Sequence, residues 1–169
     1  MWVVEGLGGP SVRYHVPMAV RMRGRLDENA LREAVRDLVD RHEALRTRIV
    51  LDSGGLRQEI LPGGTGVELE VTRVVDPSWL DQAVLNAAGR PFDLGTEIPF
   101  RAHLFSHGED RHILLLLIHH IAVDGWSIKP LAKDLGFAYS ARLAGMAPPW
   151  QPLPVQYSDH ASWQRDLFD

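Results

Sequence analysis

Six consecutive aliphatic residues, Ile113 to Ile118, constrain the fold of this chain more than any other segment. Successive side chains of a β-strand point to opposite faces, so a strand without polar residues must be covered on both faces. The run is too short to cross a bilayer as a helix, which takes about 20 apolar residues. The sequence therefore predicts a central strand with layers packed on both faces, and no membrane partner.

The segments around this run alternate between strand-like and helix-like patterns. Strands are predicted over residues 14–23, 47–51, 56–61, 67–75, 100–105 and 112–118. Helices are predicted over residues 27–45, 77–89 and 127–143, and from residue 158 onward. Turn residues at 52–55 and 107–110 predict two hairpins. This order is typical of an α/β sandwich, in which helices pack on a mixed sheet.

Composition excludes several classes of function. The net charge is −4, so no basic excess exists to release counterions from a nucleic acid. Cysteine is absent, which excludes disulfides, thiolate metal sites and a cysteine nucleophile. The N-terminus lacks the basic-then-apolar order of a signal peptide, so we expect a cytoplasmic protein.

The most informative segment is His-His-Ile-Ala-Val-Asp-Gly-Trp-Ser at 119–127, between the apolar strand and a predicted helix. Because strand side chains alternate, only one of His119 and His120 can face a substrate while the other packs inside. Asp124 falls in the turn beside Gly125, a residue that allows tight backbone geometry. Ser127 is a candidate N-cap for the following helix.

A pair of histidines at a strand end is, taken alone, more often structural than catalytic. A metal site is not expected, because adjacent strand histidines are poor partners for one ion and no third ligand recurs at metal spacing. His103 and His107 are assigned to the surface. The remaining histidines have no partner pattern and receive no functional role: His15, His42, His112 and His160.

Two short motifs point to other classes of protein and are set aside. Leu-Gly-Gly-Pro-Ser at 7–11 matches the string around the phosphopantetheine serine of carrier proteins, but a proline precedes the serine and an extended segment follows. Gly-Trp-Ser at 125–127 lacks the closing glycine of a serine-hydrolase elbow.

The whole string at 119–127 resembles the H-H-x-x-x-D-G signature of condensation domains of nonribosomal peptide synthetases, in the chloramphenicol acetyltransferase-like superfamily. Other segments are similar to family motifs in the expected order. Residues 41–47 resemble R-H-E-x-L-R-T, residues 90–94 contain P-F-D-L, and residues 157–164 resemble Y-x-D-(F/Y)-A-x-W-Q. Residues 1–4 and 10–17 resemble the tail of the family's first motif.

The resemblance implies amide-bond formation between substrates carried on the phosphopantetheine arms of donor and acceptor carrier proteins, with no cofactor bound directly. It implies that His120 is catalytic and that the backbone of Gly125 comes close to the thioester. His119 is expected to be structural. For Asp124, the family pattern suggests a buried ion pair with Arg46, or else with Arg41. Trp126 is expected to pack.

Complete condensation domains have two similar lobes, and the match here ends in a proline-rich connector over about 148–169. We therefore expect residues 1–169 to be an N-terminal lobe that is inactive alone, with a C-terminal lobe and an adenylation domain as partners. Epimerisation, ester-forming and stand-alone acyltransferase relatives share the motif. A non-catalytic recruitment domain is a further alternative.

Overall fold

The computed structural model describes residues 11–53, 55–65, 67–159 and 163. Its strands are β1 (His15–Arg23), β2 (Thr47–Asp52), β3 (Gly55–Ile60), β4 (Leu69–Arg73), β5 (Phe100–His107) and β6 (Arg111–His119). Its α-helices are α1 (Glu28–Arg41), α2 (Leu80–Ala88) and α3 (Ile128–Leu143). Short 3₁₀ helices cover Glu43–Arg46 and Pro77–Trp79.

Four strands form a mixed sheet in the order β1-β6-β5-β4. β6 is antiparallel to both β1 and β5, and β4 is parallel to β5. β2 and β3 form a separate antiparallel hairpin. The apolar strand is therefore an inner strand, as its composition predicts, and every residue from His112 to His119 is buried.

Side chains on the two faces of β6 enter different hydrophobic clusters. Leu114, Leu116 and Ile118 pack in the core formed with α1 and α3. On the other face, Ile113 and Leu115 pack against α2. Helices thus cover both faces of a mixed sheet, which confirms the predicted α/β sandwich.

Helix α1 begins as predicted but ends earlier. The Asp27 carboxylate accepts a hydrogen bond of 2.9 Å from the Ala30 N–H, an N-cap that satisfies a free donor of the first turn. The predicted end near residue 45 is wrong, because His42 has an extended backbone with φ −106° and ψ 95°. A 3₁₀ turn follows and buries Leu45, while the His42 side chain reaches α3. Tertiary contacts thus override the continuing helical pattern.

The other predicted elements agree within a few residues, although β4 is shorter than the alternating pattern and α2 is preceded by a 3₁₀ turn. Residues 157–159 are helical, and most of the predicted last helix lies outside the described residues, as do residues 1–10. Within the described part of the chain, no helix has the length and apolar character needed to span a membrane.

Candidate active site

The two adjacent histidines have opposite environments. His119 ends β6 and is fully buried, with its ring edge-on to Phe92 at a centroid distance of 6.0 Å. Its Nδ1 accepts a hydrogen bond of 3.1 Å from the Ile121 N–H. His120 follows the strand and is exposed. Its backbone is fixed by a hydrogen bond of 2.7 Å from its N–H to the Tyr14 carbonyl. Of the two, only His120 presents its imidazole to solvent.

A buried arginine holds the segment over residues 90–94, whose Phe92 ring packs against His119. The Arg101 guanidinium lies over the Phe92 ring at 4.2 Å, although the residue is only 9% exposed. It donates to both carboxylate oxygens of Glu97 at 2.9 and 2.6 Å. It also donates to the carbonyls of Arg90 and Pro91 at 2.6 and 2.7 Å. The segment over residues 90–94 is therefore fastened to β5, directly beside the strand that carries the histidines.

Sequence reasoning missed Arg101 because a single arginine in a strand that also contains two histidines and a serine carries no motif. The only available signal was Glu97, four residues earlier. His15 was also missed. It lies directly opposite His119 on β1, packs edge-on to Phe92 at 5.2 Å, and donates from Nδ1 to the Ala88 carbonyl at 2.8 Å.

The Asp124 carboxylate is bonded to its own loop. Its Oδ1 accepts hydrogen bonds from the backbone N–H of Trp126 at 3.1 Å and of Ser127 at 2.9 Å. It also accepts from the Ser127 hydroxyl at 2.6 Å. These bonds, chiefly those from Ser127, hold the pKa of Asp124 below its usual range. The carboxylate closes the turn that joins β6 to α3.

The predicted ion pair of Asp124 is wrong. Asp124 is exposed, so its charge stays hydrated and needs no buried cation. Arg46 donates instead to the Leu61 carbonyl and pairs with Glu43 at 3.3 Å. Arg41 pairs with Asp134 at 2.8 Å. Both arginines thus have structural partners, and none of these partners lies in the loop after His120.

Two further expectations for this loop, those for Trp126 and Ser127, are corrected. Trp126 does not pack, since it is 89% exposed. The Ser127 side chain does not cap α3; its hydroxyl donates a hydrogen bond to the Asp124 carboxylate instead. Gly125 does not have a positive φ, so the turn itself does not require glycine. A Cβ at Gly125 would meet nothing within 4 Å, which leaves the backbone open on that side.

The other histidines have partners that the sequence did not reveal. His42 donates from Nε2 to Asp134 at 2.9 Å, and burial lowers its pKa against the opposing effect of that carboxylate. His103 is buried rather than on the surface, 3.3 Å from Glu70, and burial lowers its pKa as well. His107, at the far end of β5, donates to the Val74 carbonyl at 3.0 Å.

His112 is buried, and its Nδ1 is hydrogen-bonded at 2.9 Å to the hydroxyl of Ser106, the residue directly opposite it on β5. His160 lies outside the described residues. Among the residues whose positions are described, no group of three or more His, Asp or Glu side chains is arranged to hold a metal ion.

A cavity of about 240 Å³ lies behind the loop that follows His120. The loop contributes Ala122, Val123 and Ser127 to its lining, and the connector contributes Leu153 and Val155. The rest of the lining comes from the segment after α1, from the start of α3 and from the end of the connector: His42, Ala44, Leu45, Pro130, Leu131, Gln156 and Tyr157.

The model of the condensation domain family matches residues 1–168. The chain therefore belongs to the condensation domain family, and its predicted resemblance is confirmed.

Two curated relatives are synthetases. The chain is 46% identical over 169 residues to a dimodular nonribosomal peptide synthase of Bacillus subtilis (strain 168), covering 99% of this chain and 7% of that protein. It is 44% identical over 172 residues to an isonitrile lipopeptide synthase of Mycobacterium tuberculosis (strain ATCC 25618 / H37Rv), covering 99% of this chain and 7% of that protein.

Among solved structures, the chain is similar to the X-domain in its complex with OxyB from teicoplanin biosynthesis. The TM-score is 0.87 at 37% identity, over 92% of this chain and 34% of that one. The chain thus spans a small fraction of the curated relatives and about a third of the solved chain. It covers only part of the domain.

Proposed function

We propose that residues 1–169 are the N-terminal lobe of a condensation domain and that residues 148–169 lead toward a C-terminal lobe. Together the lobes would form an amide bond between an aminoacyl or peptidyl donor and an aminoacyl acceptor in the cytoplasm, beside an adenylation domain. The observation that carries this proposal is the exposed His120, which directly follows the buried His119 within the family motif.

In this reaction, the acceptor amine attacks the carbonyl carbon of the donor thioester. A C–N bond forms, the nitrogen loses a proton, and the C–S bond breaks to release the donor arm as a thiol. The amine has a pKa of about 7.7–8.0, so deprotonating it beforehand gains at most about 1.4 kcal/mol at pH 7. A base that acts in the transition state typically raises the reaction rate by roughly 10²–10⁴-fold. His120 is therefore proposed either to remove the proton from the charged tetrahedral adduct or to orient the attacking amine by a hydrogen bond.

The loop after His120 supports this assignment. Its backbone is held by the hydrogen bonds of Asp124, and the open side of Gly125 leaves room for the thioester of a phosphopantetheine arm. Donor and acceptor carrier proteins would deliver these arms as substrates. Gly125 is proposed to contribute its backbone, and the buried His119 is proposed to fix the strand end that carries His120.

The test uses a two-lobe domain that contains this chain, supplied with loaded donor and acceptor carriers. His120→Ala should leave the melting temperature unchanged and lower the rate of dipeptidyl-carrier formation by roughly 10²–10⁴-fold, as expected for loss of a proton-transfer group. His107→Asn is the matched control, because it removes a histidine from the opposite end of the sheet. Wild-type turnover in His120→Ala would contradict the proposal.

The isolated lobe is proposed to be inactive. Orientation of reactants accounts for roughly 7–11 kcal/mol of a barrier, and one lobe offers one wall for two tethered substrates. The purified chain should form no product with loaded carriers until the second lobe is added. Product formed by the lobe alone, at the rate of the complete domain, would show that the site needs no second lobe.

A recruitment function is the second candidate, supported by the likeness to an X-domain that was solved in complex with OxyB. The same assay distinguishes it, because a recruitment domain would form no product even with both lobes present. Acceptors with an amine, an alcohol or an epimerisable α-carbon would separate condensation from the ester-forming and epimerising alternatives.

A further inference from the structure

Arg41 joins three parts of the molecule at the end of α1. Its Nε donates to Asp134 of α3 at 2.8 Å, and its Nη1 donates to the Gln151 carbonyl in the connector at 2.7 Å. Its guanidinium also lies over the Trp150 ring at 4.6 Å. The side chains of Arg41 and Asp134 are only 14% and 19% exposed. The pair is therefore screened by solvent less than a surface ion pair.

Gln156 makes a second attachment at the other end of the connector. Its side-chain amide donates to the Arg41 carbonyl at 3.0 Å and accepts from the Glu43 N–H at 3.3 Å. Ser158 donates to the Glu43 carboxylate at 3.2 Å. Both ends of the connector are thus bonded to residues 41–43, the first three residues of the segment that resembles R-H-E-x-L-R-T.

The connector is also one wall of the cavity behind the loop that follows His120. Leu153 and Val155 lie between the two attachments and line this cavity together with Ala122 and Val123 of the loop. Because both segments border the same cavity, moving the connector away from α1 would open the cavity beside that loop.

We propose that Arg41 is a positioning residue: it fastens residues 148–157, the first part of the connector, to α1 and α3 and thereby holds the loop at residues 121–127 in place. One planar guanidinium makes the ion pair, the carbonyl bond and the aromatic stack together, which the ammonium group of lysine does not reproduce. The importance of this arrangement for the reaction rests on the proposed function, whereas the attachment itself does not.

The chain has no cysteine, so one introduced thiol reports on one place. Three reporters are made separately: Leu153→Cys in the connector, Ala122→Cys in the loop and Leu115→Cys in the fully buried part of β6. The rate of reaction with an aromatic disulfide reagent is measured for each under native conditions. This measurement requires no substrate, so its failure is distinct from a failure of the proposed function.

Arg41→Gln should raise the labelling rate of the connector and loop reporters roughly tenfold, the change that corresponds to about 1.4 kcal/mol. The β6 reporter should not change. Arg36→Gln is the matched control, since Arg36 lies on the same helix and makes its ion pair, with Glu33, on the surface. Arg41→Lys should fall between wild type and Arg41→Gln.

A double-variant comparison tests whether Arg41 and Trp150 act together. Trp150→Leu should raise the same two labelling rates, and the double variant should label no faster than the faster single variant. Trp150→Leu also serves as the test if Arg41→Gln fails to fold. Unchanged labelling of the connector in Arg41→Gln, or an equal rise at the β6 reporter, would overturn the attachment. Unchanged labelling of the loop reporter alone would overturn its coupling to the loop.

Discussion

Replacing His119 with alanine tests the division of roles between the adjacent histidines. His119 is fully buried, its ring packs against Phe92, and its Nδ1 accepts from the Ile121 N–H. Truncating a buried ring leaves a cavity, which typically costs about 2–5 kcal/mol. The lost acceptor leaves a donor at the start of the loop unsatisfied, which costs about 1–3 kcal/mol when that donor is buried.

Because Ile121 is only half-buried, we take the lower end of the hydrogen-bond cost. The free energy of unfolding should then fall by about 3–6 kcal/mol. For a domain of this size, each kcal/mol lowers the melting temperature by about 2–4 °C, so the expected decrease is roughly 6–24 °C. His120→Ala removes an exposed ring and should change the stability by no more than about 0.5 kcal/mol.

Both variants are measured by thermal and urea unfolding, followed by circular dichroism. His119→Asn is the third variant, since its amide oxygen places an acceptor near the position of Nδ1 and should recover part of the loss. The reasoning is refuted if His119→Ala unfolds within about 1 kcal/mol of wild type, well below the 2 kcal/mol minimum for a buried truncation. Equal destabilisation by His120→Ala would refute it too.

Three further predictions concern stability and the loop. Burial lowers the pKa of His42 and of His103, so the unfolded chain binds protons before the folded chain as the pH falls below about 6.5. The urea midpoint should therefore decrease as the pH is lowered from about 6.5, and it should decrease less in His103→Gln. A midpoint that rises on acidification would contradict this prediction. Asp124→Ala should lower the free energy of unfolding only slightly, as for loss of a capping side chain, and should speed hydrogen exchange at the Trp126 amide. Asp124→Asn should be near wild type. A decrease as large as the one expected for His119→Ala, the size typical of a broken buried ion pair, would contradict the local bonding of Asp124. Arg101→Met should lower the free energy of unfolding by about 3 kcal/mol, because two carbonyls and a carboxylate lose their buried partner; a loss under about 1 kcal/mol, the size of an exposed pair, would be inconsistent with the geometry.

The layer arrangement was predictable because it depends on local patterns. The apolar run at 113–118 required cover on both faces, and the apolar spacing of α1 required one buried side, so both elements appear where expected. The end of α1 was not predictable. The pattern continues to Leu45, but His42 leaves the helix to reach Asp134, a residue 92 positions away.

The opposite environments of the two histidines were also predictable, since strand alternation indicates that only one of two adjacent residues faces outward. Alternation did not say which one; the family resemblance pointed to His120, which is exposed while His119 is buried. Charge partners were not local. The arginines at 41 and 46 were expected near Asp124, but one pairs across helices and the other caps a strand end. The buried Arg101 carried no motif at all.

The sequence by itself thus determined the central strand and the sandwich, because both follow from the period of side chains along one element. The tertiary structure decided which charges meet, because an ion pair forms between groups only a few ångströms apart, whatever their separation in sequence. Asp124 and Arg41 illustrate this. The carboxylate of Asp124 accepts its hydrogen bonds from Ser127, a neighbour in the chain. The guanidinium of Arg41 donates instead to Asp134 and to the connector.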